Sequence, residues 1–310
     1  MSVDSSERMR NISEILDSSK SVNSSKLVSL SCLNSEEIEF LAELWPETDL
    51  ERRGNIISRL VHLGEVDLRL DFNSVFVLAL RDTDEKIRIH AAEGLEGEDN
   101  YLLIKPLIKA LKEDDSAMVR AAAAIALREF ALQGELGNLP TYYREKLYSA
   151  LLDVATSKTE PTEVIRRALE AISPFHLPRV KELIEAAYKT EDFKLRTSAI
   201  YAMGRNCDLS WLPTLLMELK NTQAEIRYEA ASACGELGAE EAVPYLLDMV
   251  SDKDEHVQEA AIKSLGEIGN ETAKRALREL AKNSKPLISD AAKSALKGIE
   301  LCENPLSAEP

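Results

Sequence analysis

The chain has 310 residues, of which 45% are hydrophobic and only 5% aromatic, with 12 glycines and 11 prolines, a composition that suits helices packed through alanine and leucine better than a β-sandwich. A formal charge of −16 argues against a protein that grips nucleic acid mainly through phosphates, which requires clustered Lys and Arg, and favours neutral or basic partner surfaces. The length admits two compact domains or one extended array, so the patterning has to decide.

Residues 1–34 are serine-rich and weakly patterned, and predict a short helix in a loosely attached arm. The opening residues lack the basic and apolar regions of a secretory leader, and the alanine-rich run from Ala121 to Leu127 is too short to span a bilayer, so a cytoplasmic protein without membrane contact is expected. Residues 35–66 read as a degenerate helix pair, Glu36 to Trp45 and then Leu50 to Gly64.

A repeat follows, recurring at Ile87-Arg88, Val119-Arg120, Leu195-Arg196, Ile226-Arg227 and Val257-Gln258, each continued by small residues, with weaker copies from Val164 and Ile288. The steps between these aliphatic anchors are 32, 45, 31, 31, 31 and 31 residues, the long one holding an insertion around residues 133–143. Apolar positions at the anchor and four, five and eight residues on trace one helical face, the second helix of each unit. A first helix precedes it, with a proline near its start at Pro106, Pro213 and Pro244. Between the two lie carboxylates placed to cap the second helix: Asp114-Asp115, Glu191-Asp192, Asp252 and Asp254. Gly235, Gly238, Gly266 and Gly269 close the units. Residues 271–300, with seven basic against four acidic residues, suit a terminal cap, and 301–310 a disordered tail.

Cys234-Gly235-x-x-Gly238 followed by Ala242-Val243-Pro244-x-Leu246-Leu247 resembles the short HEAT-like repeats first associated with phycobilisome lyases, and the resemblance covers residues 70 to 300. It implies an all-α protein, a right-handed α–α superhelix of the HEAT/armadillo-like solenoid class with about eight two-helix repeats over 35–300, second helices lining the concave side. The resemblance is specific to the repeat type and to no activity; the expected function is a non-enzymatic scaffold or adaptor that binds a protein partner on that face. A bilin-lyase-like handler of chromophores is the competing reading by analogy of fold, and a HEAT-like DNA glycosylase a weaker one, since it would want a basic groove and stacking aromatics where this chain is acidic with two tryptophans.

Chemistry-bearing constellations are sparse. Cys32, Cys207, Cys234 and Cys302 are scattered without metal spacing and read as reduced thiols. HEAT-repeat hydroxylases of the deoxyhypusine type hold two irons through His-Glu steps, but none of His62, His90, His176 and His256 is followed by Glu. No catalytic residue, metal ligand or cofactor is therefore expected. Arg88, Arg120, Arg196 and Arg227 at one repeat position suggest a ladder between neighbouring units, interrupted by Ile165, Gln258 and Ser289.

The segment Met203 to Pro213 departs most from the repeat, with Arg205, Asn206, Cys207 and Trp211 in place of Glu, aliphatic, Gly and Ala. Trp211 either fills space between units or marks a recognition spot. Positions three, six and ten after each anchor are expected to form an exposed inner ridge. Arg167 and Glu170 begin it, followed by Ser198, Tyr201 and Arg205 and by Glu229, Ser232 and Glu236, with Tyr228 adjacent. Lys263 and Glu267 close it. Tyr201, Arg205, Tyr228 and Glu229 are its distinctive centre.

Overall fold

A computed structural model describes residues 5–303 apart from 22 and 284. Every regular element among the described residues is helical, and most helices come in antiparallel pairs. The chain divides into two compact units, one ending at Ala171 and the other beginning at Ile172.

The first unit runs through α1 (Ser5–Leu16), α2 (Ser24–Leu27), α3 (Ser35–Leu44), α4 (Leu50–Val66), α5 (Asn73–Ala79), α6 (Glu85–Glu93), α7 (Ile104–Glu113) and α8 (Ala117–Ala126); α5 pairs with α6 and α7 with α8, while α1 packs on α3 and α4 on α6. The insertion is an additional helix, α9 (Arg128–Glu135), that turns through Gly137 at φ +79° into α10 (Thr141–Ala155), which packs on α9 and α7 and is followed in the chain by α11 (Thr162–Ile172). It begins five residues earlier than the sequence pattern suggests, because Arg128 to Gln133 continue as helix.

The arm is not loose. Ile12, Ile15, Leu16, Leu27 and Leu30 are buried, and Arg8 pairs with Glu37 while Arg52 donates to the Ile15 carbonyl at 2.6 Å. Ile12, Ile15 and Leu16 lie three and four apart, a helical face that the surrounding serines dilute but do not abolish. At the other end, 301–303 complete the last helix, and 304–310, the rest of the expected tail, lie outside the described residues.

The second unit has four regular pairs: α12 (Pro178–Tyr188) with α13 (Phe193–Arg205), α14 (Leu212–Glu218) with α15 (Ala224–Glu236), α16 (Val243–Met249) with α17 (Glu255–Ile268), and α18 (Glu271–Leu280) with α19 (Pro286–Glu303). The second helices α13, α15, α17 and α19 pack on one another more extensively than the first helices do, so they form the tighter, inner layer of this unit. Small side chains permit that approach: Ala199, Ala230 and Ala261 are fully buried, as is Ala123 in the first unit. A Cβ built on Gly204 would stand 2.7 Å from the Cα of Ala233, one on Gly235 2.6 Å from the Cβ of Ser264, and one on Gly266 2.9 Å from the Cβ of Ala295. Both series advance by 31 residues, so one glycine seat recurs at each inner interface.

The arginine ladder is realised at Arg88, Arg120 and Arg227, whereas Arg196 donates from Nη2 alone to Glu218 at the end of α14 at 2.6 Å. Arg227 donates from Nε and Nη2 to Asp252 at 2.8 and 2.7 Å, while its Nη1 reaches the Asn221 carbonyl at 2.9 Å. Arg88 repeats the fork on Asp114 and Arg120 on Glu160. Each guanidinium thus ties the turn inside its own pair to the turn of the next. The carboxylates divide their work: Asp254 and Asp192 cap helices as expected, whereas Asp252 and Asp114 take the arginine and orient the turn by accepting an N–H two residues on. Arg53 is an additional rung, paired with Asp82 at 2.9 Å. At the interrupted positions, Gln258 donates to the Asp252 carbonyl and Ser289 to that of Ala281, keeping only the backward half of the contact.

Candidate binding face on the inner helices

Of the inner helices of the second unit, α15 and α17 are flanked by another inner helix on each side, which buries most of their circumference and leaves a narrow open strip. On α15 it runs Tyr228, Ser232, Glu236 and on α17 Glu259, Lys263, Glu267, that is, two, six and ten residues after the anchor. The expected ridge used position three in place of two, and the difference is physical: position three turns toward the adjoining helix. Ser198 is accordingly buried on α13, and Glu229 on α15 is half-buried while Tyr228 is 41% exposed. Tyr201 and Arg205, at positions six and ten of α13, are partly open, and Arg205 Nη1 lies 3.9 Å from Glu236 of α15.

Two expected surface residues are corrected to interior ones. Glu170 is 5% exposed because the two arginines of its own helix close over it, Arg167 at 2.9 Å and Arg166 at 3.3 Å; Arg167 itself stays partly open. Trp211 is also 5% exposed. Its indole N–H donates to Asn206 Oδ1 at 3.1 Å, and the Asn206 amide donates to the carbonyls of Ser173 and Phe175. The Lys181 ammonium sits 5.3 Å over the ring. The departures at 206 and 211 therefore form one buried, satisfied hydrogen-bonded pair, and Trp211 is a packing residue.

Cys207 occupies the place that Gly238 and Gly269 hold in the following units, and adopts the same left-handed backbone, φ 52° against 63° and 60°. A side chain there is strained by about 1–2 kcal/mol, against roughly 0.5–1 kcal/mol of extra chain entropy lost by glycine. Cys207→Gly should therefore raise stability modestly, read as a higher urea midpoint; a lower midpoint would show that the sulfur contributes more than its backbone costs.

Across α15, α17 and α19 the open strip deepens into a groove of about 800 Å³. Its floor is Ala260, Gly266, Ala291, Ala295 and Gly298; Tyr228 stands at one wall, and Glu259, Lys263, Glu267 and Glu303 supply the charge. The three carboxylates outnumber the one lysine, so the groove presents net negative potential. Among the described residues no group of three or more His, Cys, Asp or Glu converges as a metal-ligand set, and no helix is long and apolar enough to cross a membrane.

A family profile described as HEAT repeats matches residues 73–145 and 212–297, just over half of the chain. The chain belongs to the HEAT-repeat family. The second matched segment begins with α14 and takes in most of the groove; the first begins with α5 and runs into α10. Among solved structures, the complex of CpcE and CpcF of phycocyanin lyase from Nostoc sp. PCC7120 is similar at 19% identity, covering 76% of this chain and 90% of that one with a TM-score of 0.54. Kap95p, solved with RanGDP, is similar at 14% identity, covering 95% of this chain and 46% of that one with a TM-score of 0.50. Both likenesses establish the helical-repeat fold and nothing of the chemistry. No curated protein sequence matches the chain.

Proposed function

We propose that this HEAT-repeat protein is a cytoplasmic, non-enzymatic scaffold that binds a protein partner on the inner helices of its second unit, and that the partner segment is basic. The observation carrying this reading is the acidic groove across α15, α17 and α19, floored by residues too small to fill it and walled by Tyr228. Tyrosine and arginine are the residue types that concentrate binding energy at interfaces, and Tyr201 and Arg205 continue the same strip onto α13. Two proteins of like fold were solved against protein partners, CpcE with CpcF and Kap95p with RanGDP, which is consistent with such a use. The lyase alternative has only the fold in its favour.

A photo-crosslinking residue placed at 228 should yield a discrete protein adduct in an extract of the native cell, whereas one at Tyr245, exposed on the first helix α16, should not. Replacing Tyr201 and Arg205 together by Ala should weaken that adduct by about 30-fold in apparent affinity, equivalent to about 2 kcal/mol. Adducts at 245 alone, or an adduct at 228 indifferent to the double substitution, would refute the assignment.

A further inference from the structure

The first helices of the first unit carry a second, chemically opposite groove. It runs between α5 and α7 as two adjoining hollows of about 700 and 260 Å³ that share Val77, Arg81, Pro106, Lys109 and Glu113. Val77, Leu103 and Pro106 give it an apolar floor, and Leu102 at its lip is 58% exposed. Three cations border it, Arg81, Lys105 and Lys109, all exposed, and among the described residues none of the three is ion-paired. In a chain of net charge −16 whose other cations mostly serve the ladder or helix-surface pairs, three unpaired ones around an apolar floor form a distinct feature. Asp71, Glu113 and Asp114 also line the groove, but Asp114 is paired with Arg88, a fourth bordering cation, and Asp71 Oδ1 accepts the Asn73 backbone N–H at 2.8 Å.

A second observation points to a ligand. Asn73 is 8% exposed and lines the groove; its Nδ2 donates to Glu98 at 2.8 Å, which leaves Oδ1 the acceptor, and that atom is buried without a hydrogen-bond partner among the described residues. A buried acceptor normally finds a donor. The N–H of an extended or helical segment lying along the groove would supply one. Next to Leu102 in the chain, Tyr101 packs on Tyr143 at 4.9 Å between ring centres, and Tyr143 on Tyr142, itself 60% exposed, so aromatic surface of the kind found at interfaces extends from α7 toward α10.

We infer that the α5–α7 groove is a docking site for an acidic amphipathic peptide segment of another protein, apolar side chains on the Val77–Leu103–Pro106 floor and carboxylates against Arg81, Lys105 and Lys109. This site is independent of the groove on the second unit and of opposite preference, so the chain would join a basic segment to an acidic one.

The test uses the full chain and two fluorescent 14-residue probes, one repeating Leu with Glu at helical spacing and one with Lys in place of every Glu. Anisotropy should show the Glu probe binding at least 10-fold more tightly, with affinity falling as salt is raised. Lys105→Glu combined with Lys109→Glu should reduce that affinity at least 10-fold, whereas Lys189→Glu, exposed at the end of α12 and outside both grooves, should leave it unchanged. Should the charge reversal lower the melting temperature, Lys105→Gln with Lys109→Gln replaces it and should still weaken binding several-fold. Equal binding of the two probes, no binding of the Glu probe, or indifference to the α7 substitutions overturns the inference, and none of these outcomes bears on the acidic groove.

Discussion

Arg227→Ala is expected to destabilise the protein by about 3 kcal/mol at neutral pH, the lower end of the cost of removing one partner from a buried ion pair. The guanidinium is buried, and the substitution removes both bonds to Asp252 and those to the Asn221 and Thr222 carbonyls at 2.9 and 3.2 Å. Asp252 would be left with a mostly buried carboxylate supported by the Asp254 amide. Burial, the largest single influence, acts to raise that carboxyl, but the bond and charge of Arg227, together with the Asp254 N–H and the charge of Lys253, hold it below the ordinary 3.8. A carboxyl depressed in the folded state contributes stability that is present above its unfolded pKa and lost as pH falls through the folded one. Urea denaturation should therefore show the wild-type and variant midpoints well separated at pH 7 and converging as the pH drops below about 4. Arg227→Lys should restore only part of the loss, since a single ammonium cannot reproduce the planar fork. Midpoints separated by less than about 1 kcal/mol at pH 7 would remove the ladder as a source of stability.

The same substitution made at two helical glycines should have opposite signs. Gly54 in α4 has open space where a Cβ would stand, so Gly54→Ala should stabilise by about 0.5–1 kcal/mol through helix propensity. At Gly204 in α13 the propensity gain is the same, but the new methyl would meet the backbone Cα of Ala233 at 2.7 Å, an atom that cannot swing aside as a flexible side chain could. Overpacking of this kind costs about 1–3 kcal/mol, which exceeds the gain, so Gly204→Ala should lower the unfolding midpoint. If both variants are stabilised, the inner helices separate more readily than their packing implies.

Much of this fold is written openly in the chain. The 31-residue spacing, the small residues of the inner helices and the Arg–Asp alternation all follow from a unit that must meet a copy of itself on either side. Arg53 lies outside that pattern because its helix lacks the alanine run that marks the others, although it makes the same contact. The amino-terminal helix is obscured in another way, its three buried apolar residues, Ile12, Ile15 and Leu16, being set among serines and charges. The open strip was placed one position off for want of a single datum: how far a helix rotates when it is wedged between two others. Trp211 shows the limit most clearly, since its partner Asn206 is itself a departure from the repeat, and only the fold reveals that the two departures answer each other. The acidic groove could not be read at all, because it is the depth left by glycines and alanines, and depth has no residue of its own.

The ladder's direction also has a consequence for how the array comes apart. From Arg227 to Asp252 one pair is bolted to the next, but at Gln258 the bolt shortens to the pair's own turn. The terminal hairpin of α18 and α19 is consequently joined to the rest by apolar contact and the close seat of Gly266 on Ala295, with no ion pair to α17 among the described residues. In a one-dimensional stack the weakest junction sets where opening begins. This hairpin is the last pair among the described residues, and because α19 supplies one wall of the acidic groove, loosening there and emptying of the groove are a single event.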